Sequence, residues 1–306
     1  MFITVFTATF NRAKQLHRVY SSLLAQSYKN FEWVVVDDGS TDETKELIET
    51  WKRNNKMEIR YIFQLNQGKH IAFNLGVDLA KGDMLVSVDS DDSILPNALE
   101  LFKTNWEDLE NEKKKNFKGL AFRCLDINSN TILGTPLPSK FFDSDDRNFR
   151  LKYKIEGEFI GFNRVDVLKK YPFPILDKRV RFCPENIVWY EMAKQYKTRY
   201  IDIPARYYHR DAENSITGKN HNRSFSNYYL WKYYINELSN YMIYSPTIIL
   251  KGYVGISMDG FSTKRNLKDI MRDCKGVWRK VFVLLLTPLG MFLAYKKGNL
   301  LIKRGV

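Results

Sequence analysis

Three aspartates fall within four residues, Asp89, Asp91 and Asp92 with Ser90 among them, directly after the apolar run Met84 to Val88. Carboxylates this crowded repel one another, so a fold that gathers them must supply positive charge. A hard divalent ion that shares its oxygen ligands with a substrate phosphate meets that need. A solvated acidic turn is the plain alternative. Two apolar runs upstream also end on polar residues. Phe31 to Val36 leads into Asp37-Asp38-Gly39-Ser40-Thr41-Asp42, and Phe2 to Thr7 leads into Ala8-Thr9-Phe10-Asn11-Arg12. Acids, an amide and an arginine delivered together suit a nucleotide with its phosphates.

The elements that must position these groups show in the periodicity. Leu16, Val19, Tyr20, Leu23 and Leu24 recur at helical spacing after the first run. Leu47, Ile48 and Trp51 do the same within Thr41 to Asn54, and Ser40 with Glu43 has the spacing of a capping box. Strand, helix, strand, helix in this order predicts an α/β fold, a mostly parallel sheet flanked by helices. In such sheets ligands bind beyond the carboxyl ends of the strands. Later strands are expected over Gly119 to Leu125 and Thr198 to Ile203. The run Lys113-Lys114-Lys115 reads as a solvated helix end or loop.

The ordered set Thr9-Phe10-Asn11-Arg12, Val36 to Asp42, Gly82-Asp83 and Asp89-Ser90-Asp91-Asp92 resembles the family 2 glycosyltransferases of GT-A fold. The segment Gly68 to Gly76 resembles a stretch between these motifs in one subgroup. The likeness is close over roughly the first hundred residues and looser over the next hundred. It implies transfer of a sugar from a nucleotide-sugar donor to an acceptor hydroxyl, with inversion and a bound Mn²⁺ or Mg²⁺. On the resemblance, Asp38 accepts from the N–H of the base, uracil being the simplest, with Phe10 near the base face. Asp37 supports the loop or the ribose, Asp89 the ribose or the metal, and Asp91 and Asp92 hold metal and diphosphate. Thr9, Asn11, Arg12, Ser90 and Lys69 complete the expected donor site. Lys69 faces the diphosphate or is simply an exposed lysine. His209 is a candidate extra metal ligand or a packed side chain.

An inverting transfer needs a carboxylate to take the acceptor's proton. Family members often carry a Glu-Asp pair at a helix start in the second half, and this chain has Pro184-Glu185-Asn186-Ile187-Val188-Trp189 there. Asn186 cannot act as a base, so Glu185 is the expected one. A helix-start glutamate that merely favours the N-terminal dipole is the competing reading. Glu191 points elsewhere, and Asp177 and Glu158 remain alternatives. Arg210 and the loop 214–219 are read as a lid over the donor or as a plain connection. The domain scheme that follows is a nucleotide-sugar half over residues 1–120, an acceptor half over 121–225 and a basic helical region over 226–306.

The 306 residues carry a net +13 and are 44% hydrophobic, enough for one large core or two modest ones. Eleven Lys and Arg against two acids between Lys264 and Arg304 give +9, most of the total. Within that tail the 15 residues Val281 to Tyr295 are uncharged, about 22 Å if helical. That is short of a bilayer span, and Pro288 and Gly290 weaken a straight helix. A segment lying in the membrane interface between basic flanks is the preferred reading, and a packed core helix or a true span the alternatives. Cys124, Cys183 and Cys274 have no metal spacing and suit reduced thiols in the cytoplasm. The N-terminal run reads as a strand rather than a signal peptide. The expected setting is the inner face of a bacterial membrane, with a saccharide or lipid-linked saccharide as acceptor. Nucleic acid is not expected as a partner. A sugar-nucleotide nucleotidyltransferase fits less well, because no glycine-rich basic loop follows the first strand. A non-catalytic scaffold of the same fold is the other alternative. The aromatic run Tyr228 to Tyr234 reads as a helix packed on a core in preference to a sugar platform.

Overall fold

The computed structural model of the protein describes residues 1–176, 180, 182–209 and 223–303, with residues 297–303 given by backbone alone. Two compact units are present. The first comprises Met1–Ile175 and Val188–Ser215, the second Leu176–Ile187 and Ile216–Val306.

The first unit begins with the alternation expected from the sequence: β1 (Ile3–Thr9), α1 (Ala13–Leu24), β2 (Phe31–Asp37), α2 (Thr44–Arg53), β3 (Ile59–Phe63), α3 (Lys69–Leu79) and β4 (Met84–Ser87). It continues with β5 (Ser93–Ile94), α4 (Ala98–Glu107), α5 (Asn111–Lys114), β6 (Phe117–Asp126), β7 (Phe141–Ser144) and a π-helical turn over Asn148–Lys152. Then come β8 (Phe159–Arg164), α6 (Val165–Leu168), α7 (Asn186–Met192) and β9 (Lys197–Tyr208). The sheet runs β3-β2-β1-β4-β8-β6-β9-β5, with β7 paired to β9. Its first four strands are parallel, as are β6 and β9, and antiparallel ladders enter only around β8 and at β5 and β7.

All seven residues of β2 are buried, as a strand covered on both faces requires. On one face α1 seats Leu16, Val19, Tyr20 and Leu23. There Tyr20 stacks on Trp51 at 4.2 Å and 3°, with Trp33 tilted against both. On the other face α3 comes so close that a Cβ on Gly76 would lie 2.2 Å from the Phe6 ring. The lysine run lies partly in the short α5, and β9 runs on to Tyr208, well past the expected end at Ile203.

The second unit is helical: α8 (Ser224–Glu237), a 3₁₀ turn (Ser239–Ile243), α9 (Pro246–Ser262), α10 (Leu267–Asp273) and α11 (Val277–Lys303). The aromatic run belongs to α8 and packs. Tyr228, Tyr233 and Tyr234 are buried, Tyr228 Oη donates to Asp273, and Trp231 Nε1 donates to the buried Asp259 of α9. Pro288 does not end α11. A proline costs a helix one backbone hydrogen bond, and here Thr287 Oγ1 donates to the Val283 carbonyl in the turn before it.

Candidate active site

Register brings three of the predicted loops to one edge of the sheet. Thr9 pairs with Asp37, so β1 and β2 end level, while Ser87 ends β4 opposite Phe6, three residues before the end of β1. Asp38 N–H donates to the Thr9 carbonyl and Val88 N–H to that of Phe6, carrying the alignment one residue further.

The β1 and β2 loops are stitched together. Asn11, in the left-handed region at φ 53°, accepts from Thr41 N–H on its Oδ1 and donates its own N–H to Ser40 Oγ. Asn tolerates that conformation better than most residues. Asp37 accepts from Ser40 N–H and Tyr61 Oη, so its carboxylate supports the loop. The capping box expected of Ser40 and Glu43 does not form. Ser40 is taken by Asn11, α2 starts later, and Asp42 instead receives Thr44 N–H and Ala13 N–H, tying the starts of α2 and α1. Phe10 stands 46% exposed beside these loops.

Asp38 is buried and organises the next loop. Its carboxylate accepts from Gln64 Nε2 (2.7 Å), Gln67 N–H (2.8 Å) and Gly68 N–H (2.8 Å). Gly68, at φ 101°, starts α3 in a conformation that side chains rarely adopt. Lys69 is therefore the first residue of α3, and its Nζ reaches Asp89 Oδ1 at 2.7 Å.

Positive charge does meet the three aspartates, and side chains supply it. Lys69 pairs with Asp89, Arg12 Nη1 lies 3.6 Å from Asp91 Oδ2, and Arg206 Nη1 lies 3.1 Å from Asp92 Oδ2. Arg18 Nη1 also donates to the Asp91 carbonyl. The Lys69 ammonium holds the Asp89 carboxyl below its usual range against desolvation, helped by Arg206 and Arg12. Burial pushes the Asp92 carboxyl up to about 7, against the pull of Arg206, with the charges of Asp89 and Asp91 adding to the rise. Ser90 sits half-buried between them.

Arg206 is the member that sequence reasoning missed. It lies on β9, in the part beyond Ile203, with its side chain 7% exposed. Besides Asp92 it contacts Glu158 Oε2 at 3.3 Å and donates from Nε to Cys124 Sγ at 3.2 Å. Cys124 is buried, and burial raises its thiol to about 11, so it is not a nucleophile at neutral pH. A lone arginine in a strand of mixed composition carries no periodic signal; only the sheet order reveals its partner.

Of the three expected metal ligands, Asp91 is held the most loosely, while Asp92 and His209 each have close partners. The Asp91 side chain is 23% exposed and its ion pair is the longest of the three. Asp92 turns Oδ2 to Arg206 and accepts from His209 N–H on Oδ1, while His209 Nε2 lies 3.0 Å from Ser93 Oγ. Among the described residues no three His, Cys, Asp or Glu groups converge on one point.

Glu185 belongs to the second unit and is half-buried, immediately before α7. Asn186 Nδ2 donates to Tyr234 Oη at 3.3 Å, so the residue that replaces the usual second acid anchors the helix start within that unit. Glu158 lies with Arg206, as above. Asp177, Arg210 and the loop 214–219 lie outside the described residues.

A sheet whose parallel strands end in an acidic, amide-lined edge, with cations alongside, defines an α/β protein of GT-A fold. Over 97% of its length the chain superposes on residues 1–349 of Staphylococcus aureus TarS in complex with UDP-GlcNAc, covering 92% of that chain at a TM-score of 0.57 and 17% identity. Residues 4–113 match Glycosyl transferase family 2. It is 38% identical over 109 residues to a glycosyltransferase of Nostoc, covering 34% of each chain. It is 27% identical over 220 residues to the GalNAc(5)-diNAcBac-PP-undecaprenol beta-1,3-glucosyltransferase of Campylobacter jejuni, covering 70% of this chain and 67% of that one. Against the Nostoc and Rickettsia relatives the match spans about a third of their length or less.

Proposed function

We propose that the protein transfers a hexose from a nucleoside-diphosphate sugar, a uridine one, to a hydroxyl of a saccharide acceptor with inversion at the anomeric carbon. The observation that carries this reading is the parallel register of β1, β2 and β4, which sets Phe10, Asp38 and the Asp89–Asp92 cluster along one edge of the sheet. The base would lie against Phe10 near Asp38, and the diphosphate near Asp91, Lys69 and Arg12. A Mn²⁺ or Mg²⁺ ion held by Asp91 would offset the charge of the departing diphosphate.

In the transfer the acceptor oxygen forms a bond to the anomeric carbon as the bond to the diphosphate breaks. The acceptor's proton goes to a carboxylate, and the nucleoside diphosphate departs with the bonding electrons. Glu185 keeps the role of base on the strength of its motif. Lys69 and Arg12 face the charge that develops on the leaving group, where fixed positive groups are most effective. The name of the Campylobacter relative supports a lipid-linked saccharide as the acceptor class.

The test is thermal unfolding with UDP, GDP, TDP and CMP, each with Mn²⁺ or with EDTA, on the wild type and Asp91→Ala. UDP is expected to stabilise the wild type, by about 2.7 kcal/mol at a hundred times its Kd. The Mn²⁺-dependent part should vanish in Asp91→Ala. No shift with any nucleotide in folded protein would overturn the proposal in favour of a scaffold role.

A further inference from the structure

We infer that α11 is an in-plane membrane anchor whose outer face rests in the interface of an anionic bilayer. This rests on the second unit alone and not on the donor reading. The helix is long and apolar enough over Val277–Lys296 to cross a membrane by length and composition, yet only 17% of its most apolar window is buried. Its inward stripe is Val283, Thr287 and Gly290, small or polar and set against α9. There Thr287 Oγ1 lies 3.2 Å from Ser257 Oγ, and a Cβ on Gly290 would lie 2.6 Å from that of Ser257. On the opposite side Trp278, Leu285, Leu289 and Phe292 follow one another at spacings of seven, four and three, a single helical face, and are 47–78% exposed. Small and polar inward with large and apolar outward inverts the pattern of a helix on a water-soluble core. It is the pattern of a helix solvated by lipid.

The charge pattern names the lipid. No acidic residue follows Asp273, while Lys280 stands near the start of the apolar face and Lys296 at its end. Basic residues bracketing an apolar face suit anionic headgroups. The helix lies along the surface because α9 packs beside it and α8 packs on α9 through Trp231 and Gly255, next to Lys232, which is 39% exposed and paired with Asp273. A crossing helix would drag that charge into hydrocarbon.

The experiment is sedimentation of the full-length protein with vesicles of phosphatidylcholine, with or without phosphatidylglycerol. Wild type is expected to bind the anionic vesicles, with a blue shift of tryptophan emission that Trp278→Phe removes. Lys280→Gln with Lys296→Gln should weaken binding roughly thirtyfold. Leu285→Glu with Phe292→Glu should abolish it while leaving the melting temperature unchanged, since both side chains are exposed. The inference is overturned if wild type stays in solution with anionic vesicles, or if the Glu variant binds as wild type does. It also falls if the apolar face instead pairs two copies of the chain, seen as a lipid-free dimer that the Glu variant dissolves and vesicles leave intact.

Discussion

Replacing Arg206 by Met keeps most of the side-chain volume and removes the cation from beside Asp92, whose side chain is 4% exposed. Breaking a buried pair by deleting one partner costs about 3–5 kcal/mol while the other stays charged. Burial already pushes the Asp92 carboxyl up to about 7, so at neutral pH it escapes part of that cost by taking a proton, and the full loss is read at alkaline pH. An exposed pair such as Lys81–Glu58, with side chains 55% and 48% exposed, would cost less than about 1 kcal/mol. For a unit of this size the loss lowers the melting temperature by roughly 6–20 °C. Four of the six tryptophans, Trp33, Trp51, Trp106 and Trp189, lie in the first unit, so urea unfolding followed by fluorescence is read with Trp231 and Trp278 of the second unit replaced by Phe. The stranded charge explains the cost only if removing it helps. Asp92→Asn with Arg206→Met is therefore expected to regain more than half of the lost stability, a coupling read from the double-mutant cycle. A loss below about 1 kcal/mol in Arg206→Met at alkaline pH, or a double variant as unstable as the single one, would refute the assignment of Arg206 as the counter-charge.

Glu185→Gln should lower kcat far more than it changes donor affinity, because a base acts in the transition state; equal losses in both would mark a binding or structural role. Gly76→Ala tests the approach of α3 to β1. Alanine normally stabilises a helix by up to about 1 kcal/mol over glycine. Here its Cβ would meet the buried Phe6 ring, which is already held against Phe73 at 5.4 Å. A net loss of about 1–3 kcal/mol is expected in chemical denaturation, and wild-type stability would show that Phe6 can yield.

Much of the polar sheet edge was legible in the residue order. Phe31–Asp37 is a run of buried-strand residues that ends on acids, and Leu16, Val19, Tyr20 and Leu23 repeat at helical spacing. These local patterns fixed the alternation of strand and helix, and with it the edge to which Thr9, Asp38 and Asp89 are delivered. The need for positive charge near three aspartates was equally plain, because repulsion depends only on their proximity in the chain. What answers that need was not legible. Lys69, Arg12 and Arg206 lie 20, 79 and 114 residues from the aspartates they meet, and only sheet order and helix entry bring them together. Ser40 and Glu43 failed as a capping box for a similar reason: Asn11, a residue from another loop, competes for the same hydroxyl. In the tail, composition announced an apolar helix between basic flanks. Which of its faces is covered depended on where α9 could approach, and Gly290 and Thr287 allowed that on one side alone. Sequence determined the elements and the chemistry they carry, since both follow from short-range periodicity and residue type. Tertiary structure decided the partners, because contacts between distant residues are set by packing.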